Sequence, residues 1–116
     1  MSIQRIKVGP RLSKVAVHSQ VAYFAGQVPQ DPDAGIEGQT QQVLAQIDGL
    51  LKEVGSDKAM ILQCQIFLSD IKNMDAMNVV WDRWVAPGNS PPRATVEARL
   101  ANPKWLIEIV LSAAVA

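Results

Sequence analysis

Alternating apolar and polar residues predict several β-strands in this chain. Residues 3–8 fit a short strand, and residues 15–24 fit a hairpin that turns at His18-Ser19-Gln20. Residues 60–68 also alternate, and the apolar face of this strand consists of Leu62, Cys64, Ile66 and Leu68. Its other face consists of Ile61, Gln63, Gln65 and Phe67, so it has the character of neither a core nor a solvated surface.

The C-terminal part of the chain has the pattern of a two-stranded hairpin that turns near Asn102-Pro103. One face is apolar and consists of Ala94, Val96, Ala98 and Leu100, then Trp105, Ile107, Ile109 and Leu111. The opposite face consists of Arg93, Thr95, Glu97 and Arg99, then Glu108 and Ser112. We expect the apolar face to pack on the core and the charged face to point away from it.

A tight turn would leave Arg93 and Glu108 on one face of the sheet but about 13 Å apart along the strands. Their side chains would then meet only through their own length, a β-bulge or a longer turn, because alternation alone does not fix the register. An arginine close to a carboxylate on a rigid sheet is a suitable site for a small organic acid.

Two segments have the periodicity of amphipathic helices. The first, residues 37–54, has an apolar stripe made of Val43, Leu44, Ile47, Leu50, Leu51 and Val54. Gly55 is its expected stop, Ser56 is expected to cap a short turn through Ala59, and residues 26–38 before the helix are a Pro- and Gly-containing loop. The second helix is expected to begin after an Asn73 cap and to end before Pro87-Gly88. Its apolar side, which we interpret as core packing, consists of Met74, Met77, Val80, Trp81 and Trp84.

This order of elements predicts an α+β fold in which both helices cover one face of a mixed sheet. The other face would carry glutamines, charges and apolar side chains together. Such a surface is too apolar to be solvated and too polar to be an ordinary core, so we expect neighbouring subunits to cover it. Small closed oligomers of this kind have clefts that are natural ligand sites.

Composition narrows the range of functions. The 116 residues fit one domain, residues 1–116, and 48% are hydrophobic, which is enough for a substantial core. Eleven basic and eleven acidic residues give zero formal net charge, which argues against nucleic acid and anionic membranes as partners. One cysteine, Cys64, and one histidine, His18, are too few for a zinc site. The lone cysteine, with no signal-like or membrane-spanning segment, indicates the cytoplasm.

Several short motifs, taken in order, resemble the Rid/YjgF family, also called L-PSP endoribonuclease-like proteins. They are Gly26-Gln27-Val28-Pro29, Asn78, Pro92-Arg93, Val96-Glu97 and Ile107-Glu108-Ile109. The spacing from Pro92-Arg93 to Ile107-Glu108-Ile109 is the most specific of them, and the resemblance spans nearly the whole chain. It implies a chorismate-mutase-like α+β fold assembled as a homotrimer, with a central barrel of three sheets and three clefts between subunits.

The resemblance also implies an activity and a set of site residues. The best-studied branch hydrolyses enamine and imine acids such as 2-aminoacrylate to 2-keto acids and ammonia, without a metal or cofactor. Carried over by position, Arg93 would bind the substrate carboxylate and Glu108 would hold the attacking water. The backbone of Thr95 would contact the ligand, and Asn78 would lie near the cleft. Gly26 is also expected among the substrate-binding residues, where it would meet a backbone requirement, either a positive φ or a close approach to the ligand.

Two departures from that branch leave the activity open. Ala25 stands where the branch has a serine before Gly-Gln, and Leu12 stands where it has a tyrosine, so two hydroxyl groups are absent. The chain is more similar to a YoaB-like subgroup. We therefore keep two hypotheses for the function. One is a deaminase of small imino acids, and the other is a trimeric binding protein or sensor that holds small 2-keto acids without turnover. RNA cleavage, suggested by the older family name, is disfavoured because the chain lacks a basic patch and paired histidines.

Overall fold

A computed structural model describes residues 2–116 of the protein. Its six strands are β1 (Gln4–Val8), β2 (Ser13–His18), β3 (Val21–Phe24), β4 (Ile61–Leu68), β5 (Arg93–Glu97) and β6 (Ile107–Ala114). Its two α-helices are α1 (Ile36–Glu53) and α2 (Met74–Trp84). The predicted α+β class, the β2–β3 hairpin and both helices are therefore confirmed.

All six strands form one mixed sheet in the order β1-β2-β3-β6-β4-β5. β6 lies in the middle and pairs antiparallel with both β3 and β4, whereas β5 pairs parallel with β4 at the edge. The predicted hairpin between the last two strands is wrong, because β4 separates them. Residues 98–106 pass the end of β4 to reach β6, whereas the parallel strands β4 and β5 are joined by residues 69–92, which contain α2.

Both helices pack on one face of the sheet and form a single core with it. Helix α1 buries the predicted stripe from Val43 to Leu51, and α2 buries Met77, Val80 and Trp81. Strand residues on this side include Cys64, Ile66, Ile109 and Leu111. The opposite side, which we call the open face, carries Tyr23, Gln63, Gln65, Phe67, Val96, Glu108, Val110 and Ser112.

Several local predictions need correction. Leu62 does not share a face with Cys64: a β-bulge between Ile61 and Gln63 shifts the register and leaves Leu62 exposed. Asp57, rather than Ser56, caps the 3₁₀ turn Lys58–Met60, since its Oδ1 accepts from the Ala59 N–H at 2.8 Å.

The start of α2 also differs from prediction. Asn73 makes no capping hydrogen bond, because a 3₁₀ turn, Ile71–Asn73, leads directly into α2. Asp70 caps that turn through the Lys72 N–H, and the Glu97 carboxylate on β5 accepts from the Ile71 N–H at 3.0 Å. The junction before α2 is thus fixed to the edge strand.

Candidate functional site

Arg93 is a half-buried cation without an anionic partner in the described chain. It opens β5 and stands beside Cys64 in the ladder, so its side chain lies on the helix side of the sheet. Its guanidinium carbon lies 5.1 Å from the centroid of the Trp81 ring on α2. Within residues 2–116 it takes part in no ion pair or side-chain hydrogen bond, so its N–H donors are free to bind an anion.

The backbone of β5 adds further free donors and acceptors. The Cys64 N–H donates to the Pro92 carbonyl, and the Ala98 N–H donates to the Leu68 carbonyl. Because alternate residues of a parallel strand bond to one neighbour, Arg93, Thr95 and Glu97 direct their N–H and C=O groups to the free edge. The backbone groups expected from Thr95 are therefore available where Arg93 stands.

Asn78 and Thr95 lie in the same region of the molecule. Helix α2 runs antiparallel to β5, since Trp81 contacts Arg93 while Ile71, before the helix, contacts Glu97 at the strand's other end. Asn78, one turn before Trp81, and Thr95 fall between these two contacts. Asn78 Oδ1 and Thr95 Oγ1 are both buried without a hydrogen-bond partner. A buried polar atom left unpaired costs about 1–3 kcal/mol, and such atoms call for a functional explanation.

Cys64 lies under this site but is a poor nucleophile. The side chain is 1% exposed, and burial raises the pKa of its thiol from 9.0 to about 12, against the opposing effect of the Arg93 charge. The thiolate is therefore scarce at neutral pH. This agrees with the predicted place of Cys64 on the apolar face of its strand.

Glu108 lies on the open face, against the backbone of Gly26. It occupies the ladder position beside Phe67, and its carboxylate forms no ion pair or side-chain hydrogen bond within residues 2–116. A Cβ at residue 26 would overlap Oε2 of Glu108 and stand 3.0 Å from its Cδ. Gly26 has no positive φ, so that alternative is wrong. The group that approaches its backbone closely is the Glu108 side chain, and a close approach to a ligand stays a prediction.

The candidate residues thus form two groups on opposite faces of the sheet. The arginine half-site consists of Arg93, Thr95, Asn78 and Trp81, and the glutamate half-site consists of Gly26 and Glu108. The predicted common face for Arg93 and Glu108 is wrong, since the ladder pairs Arg93 with Cys64 but Glu108 with Phe67. The two residues are separated by about 10 Å along the strands and about 10 Å across them. One chain does not bring them together over one small ligand.

Of the two positions that lack hydroxyl groups, Ala25 adjoins the glutamate half-site. Ala25 directly precedes Gly26, and its N–H donates to the Lys14 carbonyl at 2.9 Å. Leu12 is in the turn before β2 and is 55% exposed. An apolar side chain so exposed is available for contact with a ligand or another chain.

Other features of the described residues do not compete with these half-sites. A groove of about 710 Å³ at the end of β5 contains neither Arg93 nor Glu108. Within residues 2–116, no three His, Cys, Asp or Glu side chains are grouped so that they could hold a metal ion. None of the helices described combines the length and apolar character needed to span a membrane.

Sequence reasoning assigned Trp81 to the core and missed its contact with Arg93. The indole is indeed buried at 6% exposure, but its ring also faces the guanidinium. The spacing from Asn78 was a usable signal, since residues three apart share one face of a helix.

Comparisons with known proteins agree with the fold and the motifs. The family described as "Endoribonuclease L-PSP" matches residues 2–115. A RutC family protein from Haemophilus ducreyi is 50% identical over 113 residues, 97% of each chain. The RutC family protein YoaB from Escherichia coli K12 is 46% identical over 115 residues, 99% of this chain and 100% of that protein.

Solved structures show the same architecture. A member of the YjgF protein family from Neisseria meningitidis superposes with a TM-score of 0.97 at 43% identity, covering 100% of this chain and 97% of that one. A Mycobacterium tuberculosis member of the YjgF/YER057c/UK114 family is 22% identical, with a TM-score of 0.85 over 98% of this chain and 100% of that one, and shows the fold alone. The expected resemblance, including the YoaB-like subgroup, is confirmed.

Proposed function

Because the chain belongs to the endoribonuclease L-PSP family, we propose that it hydrolyses small 2-imino acids and their enamine tautomers in a cleft between protomers of a homotrimer. The products are a 2-keto acid and ammonia. The observation that carries this proposal is Arg93, a half-buried guanidinium with no anionic partner among residues 2–116. Substrate carboxylate is the anion that it binds.

In this proposal Arg93 fixes both the position and the plane of the substrate. Two parallel N–H···O bonds from a guanidinium fork orient a carboxylate in a way that a lysine ammonium does not reproduce. The free N–H and C=O of Thr95 and the unpaired oxygen of Asn78 provide further contacts beside the fork. Orientation of this kind contributes several kcal/mol to catalysis.

Glu108 acts as the general base in this proposal. Its carboxylate accepts a hydrogen bond from a water molecule and takes a proton as the water oxygen attacks the imine carbon. The imine, which carries a proton on nitrogen, thereby becomes a neutral carbinolamine. Glu108 then gives its proton to the amino nitrogen, and the C–N bond breaks as the hydroxyl group loses its proton to water, which releases ammonia and leaves the keto acid. Water is the sole co-reactant, and the chemistry needs no redox step.

The opposite faces of the two half-sites require two protomers. The arginine half-site of one chain faces the glutamate half-site of another across a shared cleft, since neither residue reaches the other within its own chain. The open face supports such an assembly. Tyr23 and Val96 are 55% and 42% exposed there, and Phe67 and Val110 are only half-buried. A second protomer would remove this apolar surface from water.

The test is hydrolysis of imino acids generated in situ by an amino-acid oxidase, with release of keto acid and ammonia followed in time. Wild type is expected to exceed the uncatalysed rate, and Arg93→Ala to lose at least about 100-fold with its fold intact. Arg83→Ala removes an exposed arginine from the outer side of α2 and serves as the matched control. The proposal is overturned if no imino acid reacts faster with the protein than without it.

A second candidate is a binding protein that holds 2-keto acids without turnover. Ala25 and Leu12 favour it, because the deaminase branch has a hydroxyl group at each of these two positions and this chain has none. Calorimetry with pyruvate separates the candidates: saturable binding without imine hydrolysis supports the sensor. RNA cleavage, suggested by the name of the family, has no support from the zero net charge or the single histidine.

A further inference from the structure

We infer that Trp81 is a positioning residue, whose indole face holds the Arg93 guanidinium in the orientation that binds the ligand carboxylate. The inference rests on the proposed function of Arg93 and extends it to a residue that never touches the substrate.

The contact between the two side chains has the geometry of a cation–π interaction. The guanidinium carbon is 5.1 Å from the ring centroid, inside the distance of about 6 Å at which such contacts are significant. Within residues 2–116 no carboxylate pairs with Arg93, so the ring face is the electrostatic partner that remains to it. The side chain of Trp81 is 94% buried, and the surrounding core allows the ring little motion.

Trp81 is itself in contact with a second indole, that of Trp84. Its ring lies 5.4 Å from that of Trp84, with a 50° angle between the planes. Trp84 Nε1 donates to Asp48 Oδ2 on α1 at 3.0 Å, and Lys58 Nζ lies 5.3 Å from the Trp84 ring centroid. The orientation of the guanidinium is therefore connected through two indoles to the other helix.

A held guanidinium binds a carboxylate more tightly than a free one. An arginine side chain has many rotamers, and fixing them on binding reduces affinity. The Trp81 ring lies against one face of the guanidinium of Arg93. The N–H groups of the guanidinium lie in its plane, so they remain free to donate hydrogen bonds to a carboxylate. Loss of the aromatic face should thus weaken carboxylate binding without removing any group that contacts the ligand.

Calorimetric titration with pyruvate tests the inference. Trp81→Phe keeps an aromatic face, so the Kd should stay within about threefold of the wild-type value, whereas Trp81→Leu should raise it by about 3- to 30-fold. Trp105→Leu removes a half-buried indole from the loop that follows β5, whereas Arg93 stands at the start of that strand. This control substitution should leave the Kd unchanged.

Fluorinated tryptophans at residue 81 separate electrostatics from packing, because they keep the shape of the ring while reducing the negative charge of its face. Affinity for pyruvate should fall stepwise with one, two and four fluorines. A flat series, or a Trp81→Leu variant that folds and binds like the wild type, overturns the inference.

Arg93→Ala distinguishes failure of the proposed function of Arg93 from failure of the inference about Trp81. If Arg93→Ala abolishes pyruvate binding and the residue 81 series is flat, Arg93 binds the acid but Trp81 does not position it. If Arg93→Ala binds pyruvate normally, or the wild type does not bind it, both the proposed function and the role of Trp81 are overturned.

Discussion

The carboxylate of Glu108 occupies the space that a side chain at residue 26 would fill. A Cβ there would overlap Oε2 and stand 3.0 and 3.3 Å from Cδ and Cγ of Glu108. Backbone hydrogen bonds between Gln27 and Ile109, at 2.7 and 3.1 Å, hold the two segments at this separation. The glycine therefore sets where the proposed base stands, although it carries no functional group.

Gly26→Ala should reduce imine hydrolysis far more than stability. The added methyl group would displace the end of the Glu108 side chain, which is flexible enough to turn away at about 1 kcal/mol. The displaced base no longer holds its water, so kcat should fall about 100-fold. Chemical denaturation and the imine assay measure the two effects.

The control is a double-mutant cycle with Glu108→Gln. Once the carboxylate is gone, Gly26→Ala should produce no further loss of rate. A Gly26→Ala protein with wild-type kcat would show that the position of Glu108 does not matter for turnover.

Mixing two inactive variants should restore activity. In hybrid trimers of Arg93→Ala and Glu108→Gln chains, a cleft built from an intact arginine half-site and an intact glutamate half-site arises about one time in four. Co-refolding the variants at equal concentration should thus recover about a quarter of the wild-type rate.

The reference for this experiment is a mixture of wild-type chains with chains that carry both Arg93→Ala and Glu108→Gln. If the two groups act within one chain, the mixture of single variants stays inactive however long exchange continues, and the shared cleft is ruled out.

Stability should fall at high pH because of Cys64. Folding favours the protonated thiol, whose pKa burial raises from 9.0 to about 12, so its contribution is complete below pH 9 and is lost as the pH rises towards 12. The loss should reach about 2 kcal/mol at about pH 10.5. Urea unfolding of wild type and Cys64→Ala across this range isolates the effect, since other groups titrate in both proteins. Parallel stability curves for the two would contradict it.

Gln39→Leu should be among the most destabilising polar substitutions. Its Nε2 lies within hydrogen-bond distance of the carbonyls of Pro32, Ala34 and Lys104, and its Oε1 accepts from the Leu106 N–H at 2.8 Å. The side chain is fully buried, so its loss leaves several backbone groups unpaired and should cost about 3 kcal/mol or more. Gln41→Leu, at an exposed position of the same helix, should change stability by less than about 0.5 kcal/mol. Equal effects of the two substitutions would mean that Gln39 does not hold these loops to α1.

Periodicity identified the elements of this chain but not the neighbours of each strand. The alternation around Arg93 was real, yet β5 turns its apolar Ala94 and Val96 to the open face and its polar residues towards α2. An edge strand tolerates this because the helix side is only partly closed there: Arg93 and Thr95 are half-buried, and Glu97 reaches the start of α2. The rule that the apolar face packs on the core fails at such an edge.

The identity of the site residues came from motifs, and their arrangement came only from the fold. Arg93, Glu108, Gly26, Thr95 and Asn78 could be named from the sequence, because short motifs in fixed order point to them. Their division between two faces could not, since it depends on β4 lying between β5 and β6. The bulge that exposes Leu62 could not be predicted either, because a single inserted residue leaves the local alternation of apolar and polar residues almost unchanged.

The central place of β6 has a consequence for how the chain folds. The three-stranded meander β1–β3 and the unit formed by β4, α2 and β5 have no strand pairing with each other, and within the sheet only residues 107–114 join them. Each part can form early from contacts close in sequence, but β6 must then insert between them and pair Val21 with Ala114. Insertion of this kind involves large loop closures, so it should be the slow step of refolding, and the exposed edges of β3 and β4 should be the points at which aggregation competes.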